Sequence, residues 1–489
     1  MRDKIRNFLQ IQPAPNQQIV IRERLDFYGN IVRNQLWYRG ESQELSDFYS
    51  QLDAPPTLFW KARSTKGMEI RKIHVGIPKL MVQVLTNIVT HDFNGLEFGE
   101  NDQAHSETWD KIAKDNDFDE LLETAVEELL IGGDGAFKIS FDKDVSPDYP
   151  IIEYYPGENV DFVYKRGRII ETRFLTSYIH KNKSYTLREC YGRGYIRYQL
   201  LDSNGHMIPI NSILQTAWMD SQGVTFDKSV ALAVPVKFGK SKKYEGRGES
   251  LFDGKSDTFD ALDEAWSQWM DALRAGRSKQ YIPENLIPRD PNTGKLVTPN
   301  SFDNRYIMTG NDVTESGSGN RIYNEQAAIP HDSYLATYTT ALDLALQGVI
   351  SPSTLGIDVK KLDNAEAQRE KEKTTLYTRG KIIEVLDKAL PQLAAAAVCG
   401  LQIWHDQSVE KPEVKVKFGE YANPSFESQI ETVAKGKAGK VISTETAVEE
   451  LYGDSKDKAW KAEEVKRIKE EAGIVNMGDL PAVGADGID

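Results

Sequence analysis

Few residues in this sequence are placed to do chemistry, and the best candidate lies between Gly248 and Ser256, GESLFDGKS. It has the ingredients of a phosphate-binding loop: glycines that free backbone N–H groups to cradle phosphate, then a lysine and a serine for phosphate and magnesium. Its register argues against that use. The glycines stand one residue too far apart, and KSKKYEGR leads into it where the motif needs an apolar strand. Ser256 or Asp257 reads better as the N-cap of the helix that follows. The 7 histidines are scattered, and no Ser/His/Asp spacing, paired-carboxylate motif or metal-ligand cluster joins them. Cys190 and Cys399 lack the spacing of a zinc site or a disulfide scaffold. The expectation is a protein with no catalytic centre, no metal and no cofactor.

Composition narrows the class further. A chain of 489 residues, 40% apolar, can hold roughly three domains of about 150 residues with real cores. A formal charge of −14 excludes a general nucleic-acid clamp, so any DNA contact is expected to be weak or local. The start, MRDKIRNFLQIQPAPNQQ, has no secretory apolar core, and no window approaches the ~18 apolar residues of a membrane span. The expected setting is soluble and reducing.

The elements that must position any site come in two styles. From Arg22 to Tyr49 the pattern is helical and broken by turns. Ile77, Leu80, Val84, Leu85 and Ile88 then recur at helical spacing, and FDELLETAVEELLIGG ends on Gly132 and Gly133, which supply a left-handed cap. After that the period shortens to that of strands: AFKISFD, PIIEYYP, DFVYKRGRIIETRFL and SYTLRECYGRGYIRYQLLDSNGHMI predict an antiparallel sheet packed on helices.

The second half is built differently. In DTFDALDEAWSQWMDALRAG, Phe259, Leu262, Trp266, Trp269 and Leu273 form a heptad-like seam, with Asp260, Glu264 and Asp271 on another face. A second helix from Asp332 to about Gly348 carries Leu335, Tyr338, Leu342 and Leu346. Between them lies a stretch rich in Pro, Gly, Asn and Ser with short strand-like runs, which reads as a narrow two-helix stalk bearing a small β-containing module. From Asn364 to Val398 a helix of roughly 50 Å runs from dense charge into nearly pure apolar sequence, with Gly380 and Pro391 as expected kinks or ends. The tail has an N-cap at Ser443, then TETAVEELYG, then the alternating-charge helix WKAEEVKRIKEEAG.

In this order the segments GIPKLMVQVLTNIVTHDFNG, IGGDGAFKISFD, EYYPGENVDFVYKRGRI, YEGRGESLFDGKSDTFDALDEAWSQWMDAL, NAEAQREKEKTTLYTRGKIIEVLDKALPQL and KAGKVISTETAVEELYGDSKDKAWKAEEVKRIKEE resemble the portal proteins of tailed bacteriophages, in particular long-tailed phages of Gram-positive hosts. The resemblance covers nearly the whole chain. It implies an α+β portal fold: an α/β wing (1–250), stem helices (251–276 and 329–350), a clip (277–328), a tunnel loop (351–364), a long wing/crown helix (365–400), and a crown with C-terminal tail (401–489). It implies a ring of about twelve subunits at one capsid vertex, the channel for DNA packaging and ejection.

The same resemblance assigns residues and partners. Phe259, Leu262, Trp266, Trp269 and Leu273 would form the stem interface between subunits. Ser351, Thr354, Leu355, Asp358, Lys360 and Lys361 would face DNA, and Tyr281, Pro283, Arg289, Tyr306 and Met308 would dock the motor and adaptors. Implied partners are further copies of the chain, double-stranded DNA, the terminase large subunit, scaffolding protein, major capsid protein and a head-tail adaptor, in the virion after assembly in the host cytoplasm. No membrane is implied. The alternatives are a nucleotide-binding packaging ATPase or another ring-forming virion adaptor.

Overall fold

Local chemistry fixes where the N-terminal helices begin and end. The computed structural model describes residues 23–66, 70–99, 102–219, 222–298, 306–310, 322–357, 365–419, 426–439, 441–452 and 458–471. Helix α1 (Phe27–Arg39) starts where the Asp26 carboxylate accepts from Gly29 N at 2.7 Å and stops at the left-handed Gly40. It is followed by α2 (Ser42–Gln51), α3 (Ile77–His91), α4 (Gln103–Asp115) and α5 (Phe118–Gly132). Burial on α3 centres on Ile77, Met81, Val82, Leu85 and Val89, while Leu80, Val84 and Ile88 sit at the margin of that stripe. Gly133 ends α5 in the left-handed region, as its sequence predicts. The glycine is needed twice over, because a Cβ there would lie 2.7 Å from Ser250 N.

Strands alternate through the predicted stretch. They are β1 (Phe93–Phe98), β2 (Asp134–Ser140), β3 (Ile151–Pro156), β4 (Val160–Lys165), β5 (Arg168–His180), β6 (Lys183–Gly192), β7 (Tyr195–Leu201), β8 (Met207–Ile208), β9 (Val224–Thr225) and β10 (Ala233–Lys237). One antiparallel sheet has the order β10-β2-β3, and a second runs β4-β5-β6-β7-β8 with β9 also on β7. Strand β2 is buried along almost its whole length, between the helices and its two neighbours. The buried Lys138 on β2 bonds Glu189 Oε2 of β6 at 2.7 Å, tying the two sheets together with an ion pair that its burial requires.

The second half of the large unit comprises α6 (Ser256–Ala275), β11 (Lys279–Pro283), β12 (Tyr306–Thr309), β13 (Tyr323–Glu325), α7 (His331–Leu346), α8 (Ala365–Trp404) and β14 (Val414–Phe418). Helix α8 answers the charge question posed by its sequence. Ile382, Leu386, Ala389, Leu390 and the run from Leu393 to Cys399 are buried, while Leu376, Tyr377 and Lys381 of its earlier turns are exposed. Neither Gly380 nor Pro391 ends the helix. A proline inside a helix costs about 3 kcal/mol, and here it sits between fully buried Leu390 and Leu393, whose packing offsets that cost.

The chain divides at Gly419 into a large unit and a smaller one. Strand β14 pairs antiparallel with β1, so residues 401–418 belong to the large unit, which ends at Phe418. The small unit contains α9 (Phe426–Ala438), α10 (Thr444–Tyr452) and α11 (Lys458–Glu471). Ser443 Oγ accepts from Thr446 N at 3.1 Å, the predicted cap. Tyr452 packs edge-on against Trp460 at 4.9 Å, and Lys461 meets Glu449 at 2.8 Å.

Candidate functional site

Helices α6 and α7 run antiparallel, and aromatic side chains set their spacing. Trp266 lies 5.3 Å from Tyr338 by ring centroids, and Trp269 stacks on Tyr334 at 6.3 Å with an interplanar angle of 10°. Beyond them Trp269 reaches His331 at 5.8 Å, and Ile329 closes on Gly276 so tightly that a Cβ there would meet it at 2.6 Å. At the opposite end Lys255 Nζ donates to the carbonyls of Leu344 at 3.0 Å and Gln347 at 2.6 Å, capping the C-terminus of α7 with a cation.

The five seam residues therefore separate. Phe259 and Leu262 are each 1% exposed inside their own chain, where Phe259 meets Trp37 at 5.6 Å and Phe252 at 5.7 Å. They are corrected from surface to core. Trp266 and Trp269 are half-buried against α7, and Leu273 is 41% exposed.

The acidic face also needs correction. Asp260 is buried and accepts from Phe59 N at 2.8 Å and Trp60 N at 3.1 Å; burial raises its carboxyl pKa and those two N–H groups oppose the rise. Asp263 accepts from Trp60 Nε1 at 3.1 Å and Val75 N at 2.9 Å, and lies 2.7 Å from His74 Nδ1. Ser267 Oγ takes Ile73 N at 3.0 Å. Sequence reasoning missed these roles, although Asp260, Asp263 and Ser267 recur at 3 and 4 along one side of the helix, a polar stripe beside the apolar one. Together they rivet the base of α6 to segments 59–60 and 73–75.

The far end of the helix pair carries a three-stranded sheet of order β12-β11-β13. Strand β11 pairs parallel with β12 and antiparallel with β13, from Lys279↔Glu325 to Tyr281↔Tyr323. Of the predicted docking residues, Tyr281 and Pro283 lie on the central strand, and Tyr306 and Met308 on β12. Arg289 lies in a bridge to Leu296 and donates to Gly294 O at 3.1 Å. Met308, Tyr323 and Leu286 are exposed.

After α7 the chain turns on the left-handed Gly348 and is stitched to α8. Thr378 Oγ1 donates to Val349 O at 2.5 Å, Ser351 N donates to Thr375 Oγ1 at 2.9 Å, and Thr354 and Thr375 share a hydroxyl contact of 2.9 Å. Ser351 is buried, and Leu355 packs against the core. Asp358, Lys360 and Lys361 lie outside the described residues. An open cleft of about 590 Å³ lies here, with Thr339, Thr340, Asp343, Gln347, Ser353 and Thr374 among its walls.

The phosphate-loop candidate is fully employed. Gly248 N donates to the buried Asp134 carboxylate at 2.7 Å, Ser250 N to Asp253 at 3.0 Å, and Leu251 N to Leu130 O at 2.9 Å. Its N–H groups hold this loop to α5 and β2, and Lys255 is committed to α7. Helix α6 begins at Ser256 with Lys255 at the cap position and no side-chain cap, so the cap lies one residue before Ser256 and two before Asp257. Both cysteines are free and buried. Among the described residues no helix is long and apolar enough to cross a membrane, and no cluster of ligating side chains has metal geometry.

No family model and no curated protein matches the chain. Among solved structures it is similar to a chain from the neck of a native GTA particle computed with C12 symmetry, at 13% identity and a TM-score of 0.41 over 78% of this chain and 91% of that one. It is also similar to a chain from the virion of a native gene transfer agent particle, at 14% identity and a TM-score of 0.39, over 87% of this chain and 99% of that one.

Proposed function

We propose that the chain is a portal subunit of a tailed-phage-like particle, which closes with about eleven further copies into a ring through which double-stranded DNA is packaged and ejected. The observation that carries this reading is the helix–module–helix order: an antiparallel aromatic pair, α6 and α7, with a small sheet at its far end, followed by a turn and the 40-residue α8. In this reading α6 and α7 are the stem, the β11–β13 sheet is the clip that receives the terminase motor and later an adaptor, and residues 351–364 are the DNA-facing loop. Scaffolding and major capsid proteins meet the outer body. Leu273, Leu335 and Leu344, exposed on the pair at 41%, 40% and 49%, are the apolar surface that neighbouring subunits would cover.

A conduit must not grip its cargo, since each lasting phosphate contact opposes movement. Lys360 and Lys361 supply two cations per subunit for brief contact. Changing both to Glu is expected to reduce packaged DNA in particles assembled with the variant while leaving ring formation intact; unaltered packaging would remove the loop from this role. An ATP hydrolysis assay on the purified chain is expected to give background rates only, and robust turnover would instead favour a packaging ATPase.

A further inference from the structure

The strongest unassigned feature is a cationic patch assembled from two distant segments of an otherwise acidic chain. The β4–β5 turn carries Lys165, Arg166 and Arg168, and the loop after β10 carries Lys240, Lys242 and Lys243. All six are exposed, and none has a carboxylate partner among the described residues.

The fold brings these segments together and fixes them. Tyr164 OH, at the end of β4, donates to Gly246 O at 2.5 Å, and Lys237 Nζ bonds both Tyr164 OH and Gly246 O. Lys237 also sits over the rings of Phe162 at 4.4 Å and Tyr164 at 4.7 Å. Gly246 is left-handed, and a Cβ there would press on Tyr164 Cε2 at 2.8 Å, so this approach is built into the loop. Within the loop, buried Ser241 accepts from Lys243 N at 3.2 Å and Tyr244 N at 3.1 Å, and Ser241 N donates to Arg247 O at 3.1 Å. Arg247 in turn donates to Val160 O at 2.8 Å, at the start of β4. The three lysines thus flank a pinned residue, beside a hairpin turn that carries three more cations.

Lys237 is spent inside the structure, where burial lowers its pKa to about 8, but the six outer cations are free to meet an anion. The exposed acids on β4 and this loop are Asp161, Glu245 and Glu249, so positive charge still dominates, six cations to three. We infer that this surface binds the phosphodiester backbone of duplex nucleic acid, without sequence preference. Protein interfaces usually centre on buried apolar and aromatic groups. Here Phe238 and Tyr244 are half-buried, Tyr164 is tied down by its bond to Gly246 O, and the other outward groups are mostly cations, the pattern of phosphate positioning without base readout. The inference goes beyond the proposed channel, because the patch belongs to one chain's own surface and needs neither ring closure nor Lys360 and Lys361.

The test is fluorescence anisotropy of the full-length protein with a labelled 30-bp duplex of mixed sequence between 50 and 200 mM salt. Neutralising about five phosphates predicts a slope of log K against log salt near −4.5, at about 0.9 per contact. The triple variant Lys240→Ala, Lys242→Ala, Lys243→Ala is expected to reduce that slope by about 3 and weaken binding at least tenfold at 100 mM salt. A control that removes two exposed lysines of α4, Lys111→Ala with Lys114→Ala, is expected to leave the affinity and the slope nearly unchanged, and circular dichroism will check that each variant is folded. Equal slopes and affinities for wild type and triple variant would overturn the proposal. So would a triple variant that loses binding to polyglutamate but keeps duplex binding, since that would make the surface a dock for an acidic protein.

Discussion

The two halves of α6 make the most instructive comparison in the molecule. Its first half, from Phe259 to Ser267, turns one face into the protein, with carboxylates bonded to backbone and ring N–H groups and with Phe259 and Leu262 sealed from water. Its second half is covered on one side only, by Tyr334 and Tyr338, and leaves Leu273 exposed. One heptad-like seam thus serves two purposes. The base is fold, and the outer half is surface that retains apolar character.

The comparison is broken most severely at the base. Leu262→Asp places an unpaired charge in the core and is expected to unfold the chain outright, at a cost above about 4 kcal/mol. Soluble protein with native circular dichroism would contradict the core assignment. Asp263→Ala leaves Trp60 Nε1, Val75 N and His74 without their acceptor, and a loss of about 3 kcal/mol is expected in chemical denaturation. A loss below about 1 kcal/mol would mean that these bonds contribute little.

A different strain lies in the N-terminal body. Burial, then the nearby Glu158 and Glu127, push the Glu128 carboxyl up to about 7. A raised folded-state pKa means the folded chain holds the proton more tightly than the unfolded one, so stability is greatest below about pH 4.5 and is lost as pH rises through about 7. Glu128→Gln is expected to remove that dependence and to stabilise the chain at pH 8 by on the order of 1–2 kcal/mol. An unchanged pH profile would show that Glu128 is better solvated than its surroundings imply. At the stalk surface, Leu335→Asp is expected to change single-chain stability by less than about 0.5 kcal/mol yet to reduce assembly. A large stability loss there would erase the difference between base and outer stalk.

Much of the architecture was legible because it rests on local signals. The Gly132-Gly133 cap, the alternating strands with their turns, the Ser443 cap and the two stalk helices all follow from periodicity and end chemistry. What was hidden depends on contacts distant in sequence. Asp260 looked like a solvated acid because nothing local announces that Phe59 and Trp60, some 200 residues earlier, turn their N–H groups toward it. Gly380 and Pro391 read as breaks because propensity cannot weigh the core packing around Leu390 and Leu393. The end of the large unit at Phe418 was not legible because it is set by β14 returning to β1, a pairing between residues more than 300 apart. The seam residues split in the same way: Trp266 and Trp269 pack on Tyr334 and Tyr338 of α7, whereas Phe259 and Leu262 belong to the core, because a seam's periodicity does not say what covers it.

The central claim is that the exposed stalk is covered by neighbouring copies of the chain. Electron microscopy of the purified full-length protein, classified for end views, tests it most directly. Closed rings of about a dozen subunits with an open central hole are the predicted result. Particles that remain single chains or pairs without a hole, at high protein concentration and in the presence of scaffolding and capsid proteins, would contradict it.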